Sequence, residues 1–354
     1  MCAQRAAWCR YNLHFNFEAR TSRGSMTEKE TFFIKVWDED KPEVFGLGEC
    51  ALFRGLSAED NDGYEAKLND LCASINAGRR VDISRYSSLK FGLESALLDL
   101  ENGGRRILFP GDWTSGHGEI VINGLVWMGS KELMLERIDQ KLNEGFRCVK
   151  MKIGGVDWND ELRLLDHIRM AFGPDRLTLR VDANGAFRPD DAMSKLIELD
   201  NFDIESIEQP IRAGQLDKLS YLCENTPIPI ALDEELIGID DLAGRRRLLY
   251  FVAPQFIVLK PSLCGGLSGT MEWIHVAEER HIGWWITSAL ESNVGLNAIV
   301  QLTSQLNVGD MPQGLGTGAL YTNNIPSPLR LKGDVLSYDP RATWTLPDMP
   351  WYEP

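Results

Sequence analysis

Four stretches decide the fold: LTLRVDANG (177–185), FDIESIEQP (202–210), PIPIALDEE (227–235) and QFIVLKPSL (255–263). Each is a short apolar run that closes on a charged residue, in turn Asp182, Glu208, Asp233 and Lys260. Apolar runs of this length, bounded by Gly and Pro, read as buried strands. The pattern extends outward to FRCVKMKIG (146–154), which closes on Lys152, and to EIVINGLV (119–126), GWWITSALES (283–292) and, weakly, MPQGLGTGAL (311–320). Amphipathic segments such as KELMLERIDQKLNEG (131–145) and WNDELRLLDHIRMAFG (158–173) fill the gaps. Eight strand–helix units in succession predict an α/β fold, a (β/α) TIM-type barrel. An open doubly wound sheet is the competing reading. No GxGxxG or GxxxxGK[ST] follows any of the strands, which weakens its nucleotide-binding version.

The N-terminal part reads differently. YNLHFNFEAR (11–20) and TFFIKVW (31–37) alternate as strands, with TSRGSMTEKE (21–30) between them as a polar loop. A second loop, ALFRGLSAED (51–60), precedes helical patterning that stops at the glycines of LKFGLESALLDLENGG (89–104). Residues 1–115 are therefore expected to form an α+β capping unit. Residues 116–324 would form the barrel, and about 325–354 would return to the cap. The loops near Arg23–Met26 and Leu52–Gly55 read equally as lids over a neighbouring site or as solvated connectors.

Composition narrows the function. The net charge of −15 argues against a nucleic-acid partner. No apolar run approaches the ~20 residues that span a bilayer. Seven scattered cysteines without a CxxC pair are expected as reduced, mostly buried thiols of a cytoplasmic chain, and the N-terminus shows no apolar signal segment. Five histidines make a His-based zinc site improbable. Oligomeric state is not legible.

The chemistry lies in one register. From Lys152 to Asp182, Glu208, Asp233 and Lys260 the steps are 30, 26, 25 and 27 residues, one βα unit each. Successive strand ends lie side by side on the C-terminal rim, where barrel enzymes keep their sites. Any one carboxylate there reads as a helix N-cap. Three in successive units would repel each other unless a cation sits among them. An all-oxygen set points to Mg²⁺, or Mn²⁺, rather than zinc. In VKMKIG the period of two sets Lys150 and Lys152 on one face, opposite Val149, Met151 and Ile153. Surface exposure is the bland alternative. If that face is the barrel interior, a desolvated lysine beside other cations becomes a base near neutral pH. The small anionic substrate then loses a proton next to its carboxylate.

At this point the chain resembles the muconate-lactonizing subgroup of the enolase superfamily, whose sites are the standing example of a lysine base beside a divalent cation. The matching motifs are Lys150-Met151-Lys152, Val181-Asp182-Ala183-Asn184, Ile207-Glu208-Gln209-Pro210, Leu232-Asp233-Glu234 and Leu259-Lys260-Pro261. The resemblance implies Mg²⁺ on Asp182, Glu208 and Asp233, with Lys152 and Lys260 as catalytic groups on opposite faces. It also implies substrate contacts from Lys150, Asn184, Gly265, Gly266, Ser288 and Leu290. Within the subgroup, Ser288-Ala289-Leu290-Glu291-Ser292 and Gly314-Leu315-Gly316-Thr317-Gly318 look most like the o-succinylbenzoate synthases of menaquinone biosynthesis. Gly316 sits where some relatives have Asp, and dipeptide epimerases carry an Asp-x-Asp there for the substrate's amino group. N-acylamino-acid racemase and dipeptide epimerase remain the alternatives. A barrel that only binds a metal and a carboxylate is a remoter one.

Overall fold

Alternating side chains drive the first two strands, β1 (Gln4–Thr21) and β2 (Gly24–Asp38), into a long antiparallel hairpin, and β3 (Phe45–Cys50) adds to β2. The computed structural model describes residues 3–21 and 24–354. Its hairpin corrects the expected loop at 21–30. Most of TSRGSMTEKE is strand, because β2 starts at Gly24 and pairs with the end of β1 across a register shift between His14 and Ala19. Its polar side chains are tolerated because most of this first half of β2 is exposed. Arg23, part of the expected lid, and Cys2 lie outside the described residues.

Two helices, α1 (Tyr64–Asn76) and α2 (Ser87–Glu101), bury Leu68, Leu71, Leu89 and Ala96 against Phe32, Ile34 and Val36 of β2. The contact of α2 with β3 is close because both surfaces carry glycine. A Cβ on Gly46 would lie 1.8 Å from the Ala96 carbonyl oxygen, and one on Gly48 1.8 Å from that of Gly92.

The stretch expected as the first barrel strand breaks in two. β4 (Glu119–Val121) turns away, and β5 (Gly124–Val126) opens the parallel sheet. The chain then alternates: α3 (Lys131–Asn143), β6 (Cys148–Lys152), α4 (Trp158–Ala171), β7 (Thr178–Asp182), α5 (Pro189–Asp200), β8 (Ser206–Glu208) and α6 (Leu216–Asn225). It continues through β9 (Ile230–Leu232), α7 (Leu242–Val252), β10 (Phe256–Leu259), α8 (Gly266–Glu279), β11 (Gly283–Ile286) and α9 (Asn293–Ser304). Side-chain caps start four of these helices: Ser130, Asp157, Asp241 and Ser292 accept backbone N–H bonds. β5 to β11 pair in sequence order in one parallel sheet.

The eighth strand is reduced to single bridges. Gln313 pairs with Ile122 and Gly314 with Thr287, both in parallel, and these join the two edges of the sheet. Pro312 lacks an N–H, and the glycines at 314, 316 and 318 offer no side chains to pack, so no regular strand forms. Val149 and Met151 of β6 and Ile153 just beyond it point outward and are fully buried beneath the helices, each worth about 1.5–3 kcal/mol. Lys150 and Lys152 therefore face the interior.

The C-terminal stretch divides. β12 (Leu329–Lys332) and β13 (Val335–Tyr338) pair with β4 rather than with the cap. Beyond them Trp344, Leu346, Met349 and Trp351 pack on Phe33 and Leu47, and Tyr352 bridges Trp8.

Candidate active site

The strand register aligns the charged residues. Lys152 pairs with Asp182 across β6–β7, and Asp182 with Glu208 across β7–β8. Next the register steps: Glu208 pairs with Ala231, and Leu232 with Ile257, so Asp233 and then Lys260 sit progressively further along. Such stagger is what closure of a sheet demands. β7, β8 and β9 separate the two lysines, which places Lys260 across the rim from Lys152.

Lys152 Nζ donates to Asp182 Oδ2 (2.6 Å) and Asn184 Oδ1 (2.8 Å). Lys150 Nζ donates to Glu208 Oε2 (2.6 Å) and Asp182 Oδ2 (3.0 Å). Lys260 Nζ donates to Asp233 and lies 4.0 Å from Glu208 Oε1. Asn184, at φ 44°, donates to Glu234 Oε1 (3.0 Å). Among the described residues, no three acidic, His or Cys side chains stand gathered as a ready metal cluster. Three ammonium groups lie on the carboxylates instead. The donor set still fits a hard cation: it is all carboxylate oxygen, and Glu208 Oε1 is buried with no hydrogen-bond partner.

Charge sets the titrations. Burial pushes the Glu208 carboxyl up, and Asp182 pushes it further, to about 7. Burial also raises Asp233, against the pull of Lys260. Asp182 is held well below the usual range, because Lys152 and Lys150 together outweigh its burial. Lys150 and Lys260 are buried too, yet the carboxylates hold both above the ordinary lysine value. Lys152 alone is lowered, by burial and by its neighbours Lys150 and Lys260 against the attraction of Asp182. Of the three lysines on these carboxylates, one is thus shifted toward the free amine.

The lysines and Asn184 line a cavity of about 670 Å³. Ser288, Leu290 and Gly316 form part of its wall, as do Met26 of β2 and Phe53 and Gly55 of the loop after β3. Ser288 Oγ shares a 2.7 Å hydrogen bond with Thr317 Oγ1. Leu290 adopts φ 65°, with its carbonyl held by the Tyr321 hydroxyl (2.7 Å). A Cβ on Gly316 would approach Ile122 to 3.2 Å, so no side chain intrudes at that wall.

Gly265 and Gly266 are not brought to the cavity, contrary to expectation. Their positive φ values, 105° and 78°, serve the start of α8. A Cβ on Gly265 would meet Arg245, and one on Gly266 would meet Glu94 of α2, whose carboxylate accepts the Leu267 and Ser268 N–H bonds. Gly265 is needed for close packing against Arg245 of α7, and Gly266 for close packing against the cap.

Sequence reasoning missed several supports. Gln209, fully buried, accepts the N–H bonds of Asp233 and Glu235 (3.2 and 3.3 Å) and so ties one strand end to the next. Glu49 of β3 accepts from Thr31 Oγ1 (2.8 Å) and from Ser292 and Gly295 N–H at the start of α9. A charged residue at the end of the apolar run VFGLGEC (44–50) was the available signal.

Residues 133–333 match the profile of the enolase C-terminal domain-like family. The chain belongs to the enolase superfamily. It is 42% identical to an o-succinylbenzoate synthase of Desulfotalea psychrophila (strain LSv54 / DSM 12343), over 95% of this chain and 99% of that protein. An o-succinylbenzoate synthase of Bacillus subtilis (strain 168) is 26% identical, over 83% of this chain and 80% of that one. The crystal structure of MenC from Desulfotalea psychrophila LSv54 superposes with a TM-score of 0.84 at 40% identity, covering 95% and 99% of the two chains. The L-Ala-D/L-Glu epimerase of Bacillus subtilis shares the fold (TM-score 0.79, 19% identity, 96% of each chain).

Proposed function

We propose that this enolase-superfamily chain is an o-succinylbenzoate synthase, the hydro-lyase that dehydrates 2-succinyl-6-hydroxy-2,4-cyclohexadiene-1-carboxylate in menaquinone biosynthesis. The observation that carries it is the 42% identity to a synthase along nearly the whole chain. Two features of the site support it. Lys152 and Lys260 flank one cavity, and the Gly316 wall offers no carboxylate to an amino group.

The ring carboxylate of the substrate enters between the ammonium groups of Lys150 and Lys260, which attract it and hold it in register. Lys152, as free amine, takes the proton alpha to that carboxylate. Asn184 and Asp182 steer its Nζ in that step. The C–H electron pair becomes the new ring double bond as the C–O bond to the hydroxyl breaks. Lys152, now protonated on the same face, returns the proton to the departing hydroxide, so water leaves and the ring is aromatic. Lys260 moves no proton; its charge balances the anion from the other side, aided by a cation–π contact as the ring forms. Asp182, Glu208 and Asp233 would hold Mg²⁺, or Mn²⁺, which when bound supplies Lewis-acid stabilisation of the carboxylate.

A second reading has a specific basis. Opposed lysines are also what a two-base racemisation requires. The test is incubation with the cyclohexadiene substrate and, separately, with N-succinylamino acids in D₂O, each with and without Mg²⁺. Mg²⁺-dependent aromatisation supports the synthase. Deuterium incorporation into both antipodes at rates rivalling dehydration would replace it by the racemase.

A further inference from the structure

The proposed substrate is a dianion, with one carboxylate on the ring and one at the end of the succinyl arm. The floor of the cavity accounts for the first. Three other cations line the same cavity among the described residues: Arg54, Arg137 and Lys141. Two of them are committed. Arg54 ion-pairs with Glu30 (2.6 Å) and Asp60 (2.8 Å), and Lys141 with Glu144 (2.6 Å).

Arg137, on α3, is held differently. Its Nη1 donates to the carbonyls of Trp127 (2.8 Å) and Met128 (2.9 Å). Its guanidinium lies 5.2 Å from the centre of the Phe17 ring, and Phe17 packs edge-on against Trp127. The barrel thus fixes one edge of the guanidinium, and a cap residue covers its face. Both arrangements use neutral groups, so the charge is oriented without being neutralised. Glu136, next in the chain, also lines the cavity; it is exposed and attracts the guanidinium through space, without a direct ion pair. The remaining Nη2 and Nε donors keep the fork geometry that binds a carboxylate through two bonds.

We propose that Arg137 binds the remote, succinyl carboxylate of the substrate and so sets the chain's preference for a dicarboxylate. This assignment rests on the synthase reading above. It makes Arg137 a specificity residue supplied by the first barrel helix, with Phe17 of the cap completing the subsite.

The assay compares wild type, Arg137→Met and Arg137→Lys in steady-state dehydration. It also compares binding of o-succinylbenzoate with that of its terminal amide, by calorimetry. Wild-type turnover must be seen first; its absence would sink the synthase reading and not this one alone. With turnover present, Arg137→Met is expected to raise KM about tenfold or more while kcat changes less than about threefold, the signature of lost substrate binding. Arg137→Lys is expected to recover part of KM. Wild type is expected to prefer the acid to the amide about tenfold, and Arg137→Met to lose that preference. Equal binding of acid and amide by wild type would overturn the proposal. So would an Arg137→Met variant that weakens both ligands alike, since that marks Arg137 as a mere prop for the Trp127–Met128 turn.

Discussion

Lys150 and Lys152 are two residues apart and make opposite uses of the same burial. Lys150 lies against two carboxylates and keeps its charge, and that charge presses the Lys152 pKa down. The pH dependence follows. As the proposed base, Lys152 would work as the free amine, so kcat should rise with pH and level off above its lowered pKa, somewhere below the ordinary 10.5. Activity is lost as pH falls through that value. Removing the neighbouring positive charge by Lys150→Met should move the rise to higher pH, which a kcat–pH profile reads directly. A shift toward acid would contradict the coupling. The placement of Lys152, Asp182, Glu208, Asp233 and Lys260 on one rim was legible in sequence, because each closes an apolar run at barrel spacing. Arg137 was not: it sits on an amphipathic helix among other charges, and only the fold shows that its face meets the cavity.

At the scale of elements, the cap and the barrel are joined by side chains that satisfy each other's helix ends. Glu94 of α2 takes the free N–H groups of α8, and Glu49 of β3 those of α9. A carboxylate at a helix N-terminus gains from both the hydrogen bonds and the helix dipole. Glu49→Ala would leave the Ser292 and Gly295 N–H groups and the hydroxyls of Thr31 and Ser292 without their partner in a dry interface. The expected loss is about 3 kcal/mol or more in denaturant unfolding; a change below about 1 kcal/mol would contradict this role. The sequence pattern foretold strands and helices well where apolar periodicity was strong. It failed where polar residues pair as strand, as in Gly24–Glu30, and where Pro and Gly reduce a barrel strand to bridges, as at Gln313–Gly314. Gly265 and Gly266 misled for a related reason: glycines wanted for close backbone packing look the same in sequence as glycines that leave room for a ligand.

Across the whole molecule, seven parallel strands bring residues more than a hundred positions apart onto one rim, and the cap strands cover the cavity that results. The divalent cation proposed for Asp182, Glu208 and Asp233 would have consequences beyond activity. The ion must find Glu208 ionised, and its carboxyl is raised to about 7 by burial and by Asp182. Mg²⁺ should therefore bind more weakly below pH 7 and release protons as it binds. By linkage, saturating Mg²⁺ should raise stability by about 2.7 kcal/mol at a hundred times its Kd. Glu208→Gln should lose most of that gain in thermal unfolding. An equal gain in the variant would mean that the ion binds elsewhere.

Lys152, tuned by its neighbours, is the group proposed to remove the proton that starts the dehydration. The most direct measurement is the rate at which Lys152→Ala, at saturating Mg²⁺ and with its unfolding temperature shown to match wild type, aromatises the cyclohexadiene substrate. Loss of a general base predicts a fall of at least about a hundredfold. Turnover within a few-fold of wild type would contradict the account.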